Sequence, residues 1–237
     1  MALSHGPKEP LGVTSGLVLY LDAANARSYP KSGTTWFDRS GNGNNGTLVN
    51  GVGYVGTNGG SLSFDGVNDS VNIPISGSLQ SQSFTFDAWF KINSIDNING
   101  SPIFTGHYQS NGTVSGSLLI ILSGQYLFQT RLNNSCCQSL YVGTASTNTW
   151  VNFVGTWNGS IKIAYLNGIQ AGTQSVSGTH FQLNNFSIGN NSDNIAGGNY
   201  SNALNGFVSS IKYYNRALSA SEVKQNYNAF KGRYGLT

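Results

Sequence analysis

Charge is what this chain has least of. Only 9% of its 237 residues are Asp, Glu, Lys or Arg, against roughly 25% in an average domain. The surface must therefore be built from Asn, Ser, Thr, Gln and Gly. Such a surface suits packing into an assembly or facing carbohydrate, and it does little to hold neighbouring copies apart. The net charge of +3 is too small to imply a nucleic-acid partner. Lys212, Arg216, Lys224, Lys231 and Arg233 gather near the end against Glu222. No nucleic-acid motif surrounds them, and a solvated helix face accounts for them.

Cysteine is nearly absent. Cys136 and Cys137 are the whole complement, and they are adjacent, so there is no disulfide framework and no C-x-x-C metal spacing. The expectation is two reduced thiols in a chain made in a cytoplasm. No apolar run approaches the roughly 18 residues of a membrane span, so no membrane partner is expected. The opening MALSHGPKEPLG lacks the apolar stretch of a secretory signal.

Catalytic groups are equally scarce. Glycoside hydrolysis needs two carboxyl groups flanking the scissile bond. The two glutamates, Glu9 and Glu222, fall in an N-terminal arm and a helix cap. Of the aspartates only Asp87 sits in mid-strand, with no second carboxylate two or four residues away. The histidines are His5, His107 and His180, and no serine occupies a G-x-S-x-G elbow. No glycine-rich phosphate cradle joins a strand to a helix. An enzyme is not expected. Calcium is the one weak cofactor candidate: Asp65, Asn68 and Asp69 share one turn, and Asp38, Asn42 and Asn44 another. Hard oxygen ligands in loops suit Ca²⁺, but Asp and Asn also cap their own turns, and no loop carries a full ligand pattern.

What the chain has in quantity is short alternating strands punctuated by Asn and Gly. WVNFVGTWNGSIKIAYLNG (150–168) reads as a hairpin, with Asn158-Gly159 and Asn167-Gly168 as turns. SFTFDAWFKI (83–92) is the most regular strand. Phe84, Phe86, Ala88 and Phe90 share one face, while Thr85, Asp87, Trp89 and Lys91 share the other, a mixed face expected to be partly open. Further strands are expected at 16–22, 60–66, 69–75, 102–107, 118–122, 126–132, 140–143, 186–189 and 206–214. The stretch 34–51 carries too many turn residues to predict regular structure. From Ser219 the period becomes helical: Ser219 with Glu222 forms a capping box, Val223, Tyr227 and Phe230 follow on one face, and Gly232 ends it. The helix is expected at about 219–231. Residues 1–15, with Pro7 and Pro10, read as an extended arm before one domain over 16–237.

SLSFDGVNDSVNI, SFTFDAWFKI, the 150–168 hairpin and GFVSSIKYYNRALSASEV occur in this order. Together they resemble the laminin-G-like branch of the concanavalin A-like lectin/glucanase fold, over roughly residues 16–232. The resemblance implies an all-β protein: a two-sheet antiparallel β-sandwich, or jelly roll, with one concave sheet and a short C-terminal helix. The opening GLVLYLDAANARSYPKSGTTWFDRSGNGNNGTL is similar to the start of domains in virion structural proteins of tailed bacteriophages, particularly cyanophages, and implies a virion location. Asn68-Asp69 stands where the family often has Asp-Asp, which weakens a shared calcium site.

The reading that follows is a non-enzymatic virion structural protein, a capsid decoration protein in multiple copies. Its arm, with Leu3, His5, Pro7, Lys8 and Leu11, would dock on other virion proteins or a sister copy. The alternative is a host-glycan-binding adhesin of a tail or fibre, with Asp87, Trp89, Tyr126 and Arg131 as candidate sugar contacts. A polysaccharide-active enzyme is the remote alternative.

Overall fold

The computed structural model describes residues 12–74, 76–79, 81–95, 100–110, 113–132, 135–179, 185–190 and 203–237, with backbone alone at 107–110, 113–115 and 135–137. Leu3, His5, Pro7, Lys8, Leu11 and His180, with the side chains of His107, Cys136 and Cys137, lie outside the described residues.

The chain is nearly all β. Its first strands are β1 (Leu17–Asp22), β2 (Thr35–Trp36), β3 (Gly46–Val49), β4 (Gly53–Val55), β5 (Ser61–Asp65), β6 (Ser70–Pro74), β7 (Phe84–Ile92) and β8 (Ser101–Ser110). Then come β9 (Thr113–Leu122), β10 (Gln125–Leu132), β11 (Ser135–Thr144), β12 (Val151–Trp157), β13 (Ile161–Leu166), β14 (Ile169–Ser175), β15 (Asn185–Ile188) and β16 (Asn205–Tyr214). Helix α1 (Ala220–Phe230) and a 3-10 turn, Lys231–Tyr234, follow. Two eight-stranded sheets form the sandwich. Sheet A runs β14-β13-β12-β7-β16-β5-β4, with β1 also on β16; sheet B runs β11-β10-β9-β8-β15-β6-β3-β2. Every ladder is antiparallel.

Period-2 alternation builds the core between the sheets. Phe84, Phe86, Ala88 and Phe90 of β7 meet Phe104, Leu119, Phe128 and Phe186 of sheet B. The rings pack edge-on, with Phe86 4.7 Å from Phe104 and Phe84 6.5 Å from Phe128, the geometry that aromatic quadrupoles favour. A second and third cluster lie on the outer face of sheet A, where α1 packs: Val13, Val154, Tyr165, Tyr214, Leu218 and Val223 in one, Tyr20, Trp89, Trp150, Tyr227, Phe230 and Tyr234 in the other. The molecule therefore has three layers: sheet B, sheet A and the C-terminal helical segment.

Four strands were not expected. β2 and β3 fall inside 34–51, where strands of two and four residues are outnumbered by turn residues. Their burial, with Trp36 fully enclosed, is set by tertiary packing rather than local pattern. β4 has three half-buried residues. β14 is an edge strand with little burial and no apolar alternation. The arm boundary also moves. Val13 is buried; its N–H donates to Asn226 Oδ1 (2.8 Å) and its carbonyl accepts from the Tyr214 hydroxyl (3.0 Å). Ser15 O accepts from Arg216 Nε at 3.0 Å. Residues 13–15 belong to the body.

Candidate functional site

The mixed face of β7 is roofed, not open. Thr85 Oγ1 donates to Arg216 O and accepts the N–H of Leu218, each at 2.9 Å, pinning the turn that enters α1. Asp87 lies in a closed polar network: Oδ1 accepts from Asn152 Nδ2 (2.7 Å) and Oδ2 from Asn226 Nδ2 (3.2 Å). Asn226 Nδ2 also reaches the Tyr214 hydroxyl at 2.9 Å. Burial, and then the nearby Asp87 charge, raise the pKa of that phenol. Trp89 stacks on Tyr234 and Tyr227, with centroids at 4.3 and 5.7 Å. Lys91 lies over the rings of Phe207 and Trp150. Each outward residue of β7 has a partner in the C-terminal layer or beside it.

This corrects three of the four expected sugar contacts. Asp87 and Trp89 are 2% and 1% exposed, because α1 and the turn after it cover the strand. Tyr126 points into the main core against Phe90 and Phe153 and is 4% exposed. Arg131 is the exception: it stands half-buried on the outer face of sheet B. Leu127, Gln129 and Arg131 alternate outward along β10, since Tyr126, Phe128 and Leu132 face the core. Across the ladder Tyr141 stands opposite Leu127 and Ser139 opposite Gln129. Gln129 Nε2 donates to Ser139 Oγ at 3.2 Å. Tyr141 is 44% exposed. Gln129 is itself only 3% exposed, so this face presents the Tyr141 ring with the half-buried Ser139 hydroxyl and Arg131 guanidinium, groups that can stack on an apolar sugar face and hydrogen-bond its hydroxyls. Sequence reasoning missed Gln129, Ser139 and Tyr141. The period gives two faces for β10 and β11 but not which is inside.

The described carboxylates are committed to structure. Asp22 takes Arg233 through two nitrogens at 2.7 and 3.0 Å. Glu222 takes Arg216 the same way, at 2.9 and 2.6 Å. Asp38 Oδ1 accepts from the N–H groups of Tyr20 and Ser40, and Oδ2 from Asn44 N–H and the Ser40 hydroxyl. That loop is held by its own backbone. In the other calcium candidate, Asp69 Oδ2 accepts the N–H of Asp65 (3.0 Å) and Asp65 Oδ1 that of Val67 (2.8 Å), while Asn68 O accepts from Asn50 Nδ2 (2.9 Å). Among the described residues no group of three or more His, Cys, Asp or Glu side chains is arranged to hold a metal ion.

A helix-backed antiparallel sandwich with this strand order defines a lectin-like jelly roll. The chain belongs to the concanavalin A-like lectin/glucanases superfamily, whose Laminin_G_3 family model matches residues 64–224. No curated protein matches it by sequence. Among solved structures, the binding domain of Paraclostridial mosquitocidal protein 1 is similar at TM-score 0.70 and 17% identity, covering 93% of this chain and 55% of that one. The binding domain of botulinum neurotoxin DC in complex with SialylT is similar at 0.69 and 16%, covering 92% and 52%. The ligand binding domain of botulinum neurotoxin serotype D in complex with N-acetylneuraminic acid is similar at 0.71 and 16%, covering 91% and 51%. The chain spans about half the length of these structures. At such identity the likeness is one of fold.

Proposed function

We propose that this chain is a non-catalytic binding module of a virion, held through the segment before Gly12 and presenting the outer face of sheet B to a surface glycan. The observation that carries this reading is the opposition of two faces. Asn226 and Tyr214 fasten Val13 on the outer side of sheet A, while Tyr141, Ser139, Gln129 and Arg131 lie on the outer side of sheet B. A tether on one side leaves the exposed Tyr141 region of the other to meet a ligand, beside the buried Leu118, Ile120 and Leu127 cluster of the same face. The described carboxylates, each bound within the body, supply no acid–base pair for glycoside chemistry. The fold likeness to toxin domains in complex with SialylT and with N-acetylneuraminic acid supports the ligand class. A glycan array followed by titration of the best hit tests it. Tyr141→Ala and Arg131→Ala are each expected to weaken binding about tenfold or more without lowering the melting temperature. An array with no hits sinks the glycan.

The fastening of Val13 and Ser15 favours a second reading, a capsid decoration subunit present in many copies and seated on other virion proteins. A chain lacking residues 1–11 keeps the fastened base. It should fold and melt normally but no longer co-sediment with particles. Undiminished decoration would refute anchoring through that segment.

A further inference from the structure

The network under α1 leaves the Lys212 amine, like Asn152 Oδ1, without a hydrogen-bond partner. Lys212 of β16 stands opposite Asp87 in the ladder and points to the same outer face. It is 4% exposed, and its Nζ has no hydrogen-bond partner. The Nζ lies 3.8 Å from the centroid of the Phe230 ring. A methyl group placed on Gly12 would meet Asn226 Oδ1 at 3.1 Å and Lys212 Nζ at 3.4 Å. The amine and the Asn226 side-chain amide therefore flank one point, with no hydrogen bond between them.

The Asn226 amide is gripped at both ends. Its Oδ1 accepts the Val13 N–H at 2.8 Å, and its Nδ2 donates to Asp87 Oδ2 at 3.2 Å. A donor on the carbonyl oxygen polarises the carbon and would hold the oxyanion of a tetrahedral intermediate. A carboxylate on the amide nitrogen can carry a proton to a departing ammonia. The rings of Tyr20 and Phe230 close the site to water. Burial lowers the pKa of Lys212, and the Asp87 and Asp22 charges that oppose this do not outweigh it, which favours the neutral amine that nucleophilic attack needs. Asn152 also donates to Asp87, but no donor reaches its Oδ1, so Asn226 is the activated amide of the two.

We propose that Lys212, Asn226 and Asp87 form a self-crosslinking triad that joins β16 to α1 through a Lys–Asn isopeptide bond. The Lys212 Nζ lone pair forms the new bond to Asn226 Cγ, and the Cγ–Nδ2 bond breaks. One Nζ proton passes through Asp87 to Nδ2, and ammonia leaves. An amine and a primary amide become a secondary amide and ammonia, so atoms and charge balance and no oxidant or co-reactant is required. Asp87 is the catalytic residue, since it touches the leaving nitrogen. The bond would tie the helical layer to sheet A and, through Val13, secure the root of the N-terminal segment.

Mass spectrometry of the purified full chain under denaturing conditions tests this. The expected mass is one ammonia below that of the sequence, and a protease digest should contain a branched peptide joining Lys212 to Asn226. The digest is needed because a succinimide at an Asn-Gly turn removes the same mass. Lys212→Met, close in length but without a nucleophile, should abolish the branched peptide, as should Asp87→Ala. A wild-type digest with only linear peptides over 212 and 226, or with Lys212 joined to Asn152, overturns the assignment, and neither result depends on a variant folding.

Discussion

Lys162 is the residue whose surroundings least suit it. It projects from β13 into the space between the sheets, fully buried, and its Nζ donates to Phe128 O at 3.2 Å and Gln138 O at 2.5 Å, with no carboxylate among these partners. Burial lowers its pKa from 10.5 to about 7. On lowering the pH the unfolded chain takes up this proton near 10.5, the folded chain only near 7. The stability linked to this group is therefore complete above the unfolded value, falls across that window, and stays lost below it. Lys162→Met should raise the unfolding free energy from urea titration at neutral pH by about 1 kcal/mol or more, and the gain should shrink toward zero as the pH approaches 10.5. A gain that is the same at both ends of the window would refute this account. The sequence could not reveal this position. Ile161, Ile163 and Tyr165 suggest the core face of β13, yet Ile163 and Tyr165 face the helical layer and Lys162 and Ala164 face inward. Alternation separates two faces but does not rank them when both are covered. Asn226 was not singled out either, although it shares the helix stripe of Val223, Tyr227 and Phe230 and is the one polar residue buried among them.

At the scale of elements, β7 organises the molecule, because it is packed on both faces. Its inward Phe residues were legible from the period, and so was α1 with its Ser219–Glu222 capping box. The roof over its other face was not, because it comes from residues more than a hundred positions away. Trp89 joins the two layers: its indole stacks between the end of α1 and the turn that follows. Trp89→Ala should cost about 3–5 kcal/mol, measured by chemical denaturation. Protease should then cut first within the loosened C-terminal segment. If Trp89 contacted a ligand instead, the variant would lose binding while keeping its stability. The hairpin of β12 and β13 takes part in the same docking. Asn167 and Gly168 both adopt positive φ, 51° and 72°, and Gly168 packs so close to Tyr227 that a Cβ there would stand 2.8 Å from its side chain. The Asn-Gly turn was readable as a turn; its service as a seat for the helix was not.

At the scale of the whole molecule, the layers divide the labour. The helical side is dense with buried polar groups and holds both ends of the described chain. The opposite side offers Tyr141 to solvent, with Ser139 and Arg131 half-buried and Gln129 buried. The jelly roll was readable as an ordered series of strand motifs, since each motif fixes a local pattern and their order fixes the family. The candidate ligand face was not, because it depends on which of two equivalent-looking sheets receives the helix. The hydrogen bonds from Val13 to Asn226 and from Tyr214 to Val13 also bear on how the protein is made. They join residues 213 and 201 positions apart, and among the described residues β1 finds its ladder partner only in β16. During synthesis the first strand must wait on the ribosome, unpaired, until nearly all of this sequence has emerged. Sheet A thus closes late, in the manner of a slow-folding, high-contact-order β protein, and the nascent chain stays exposed to chaperones throughout that wait.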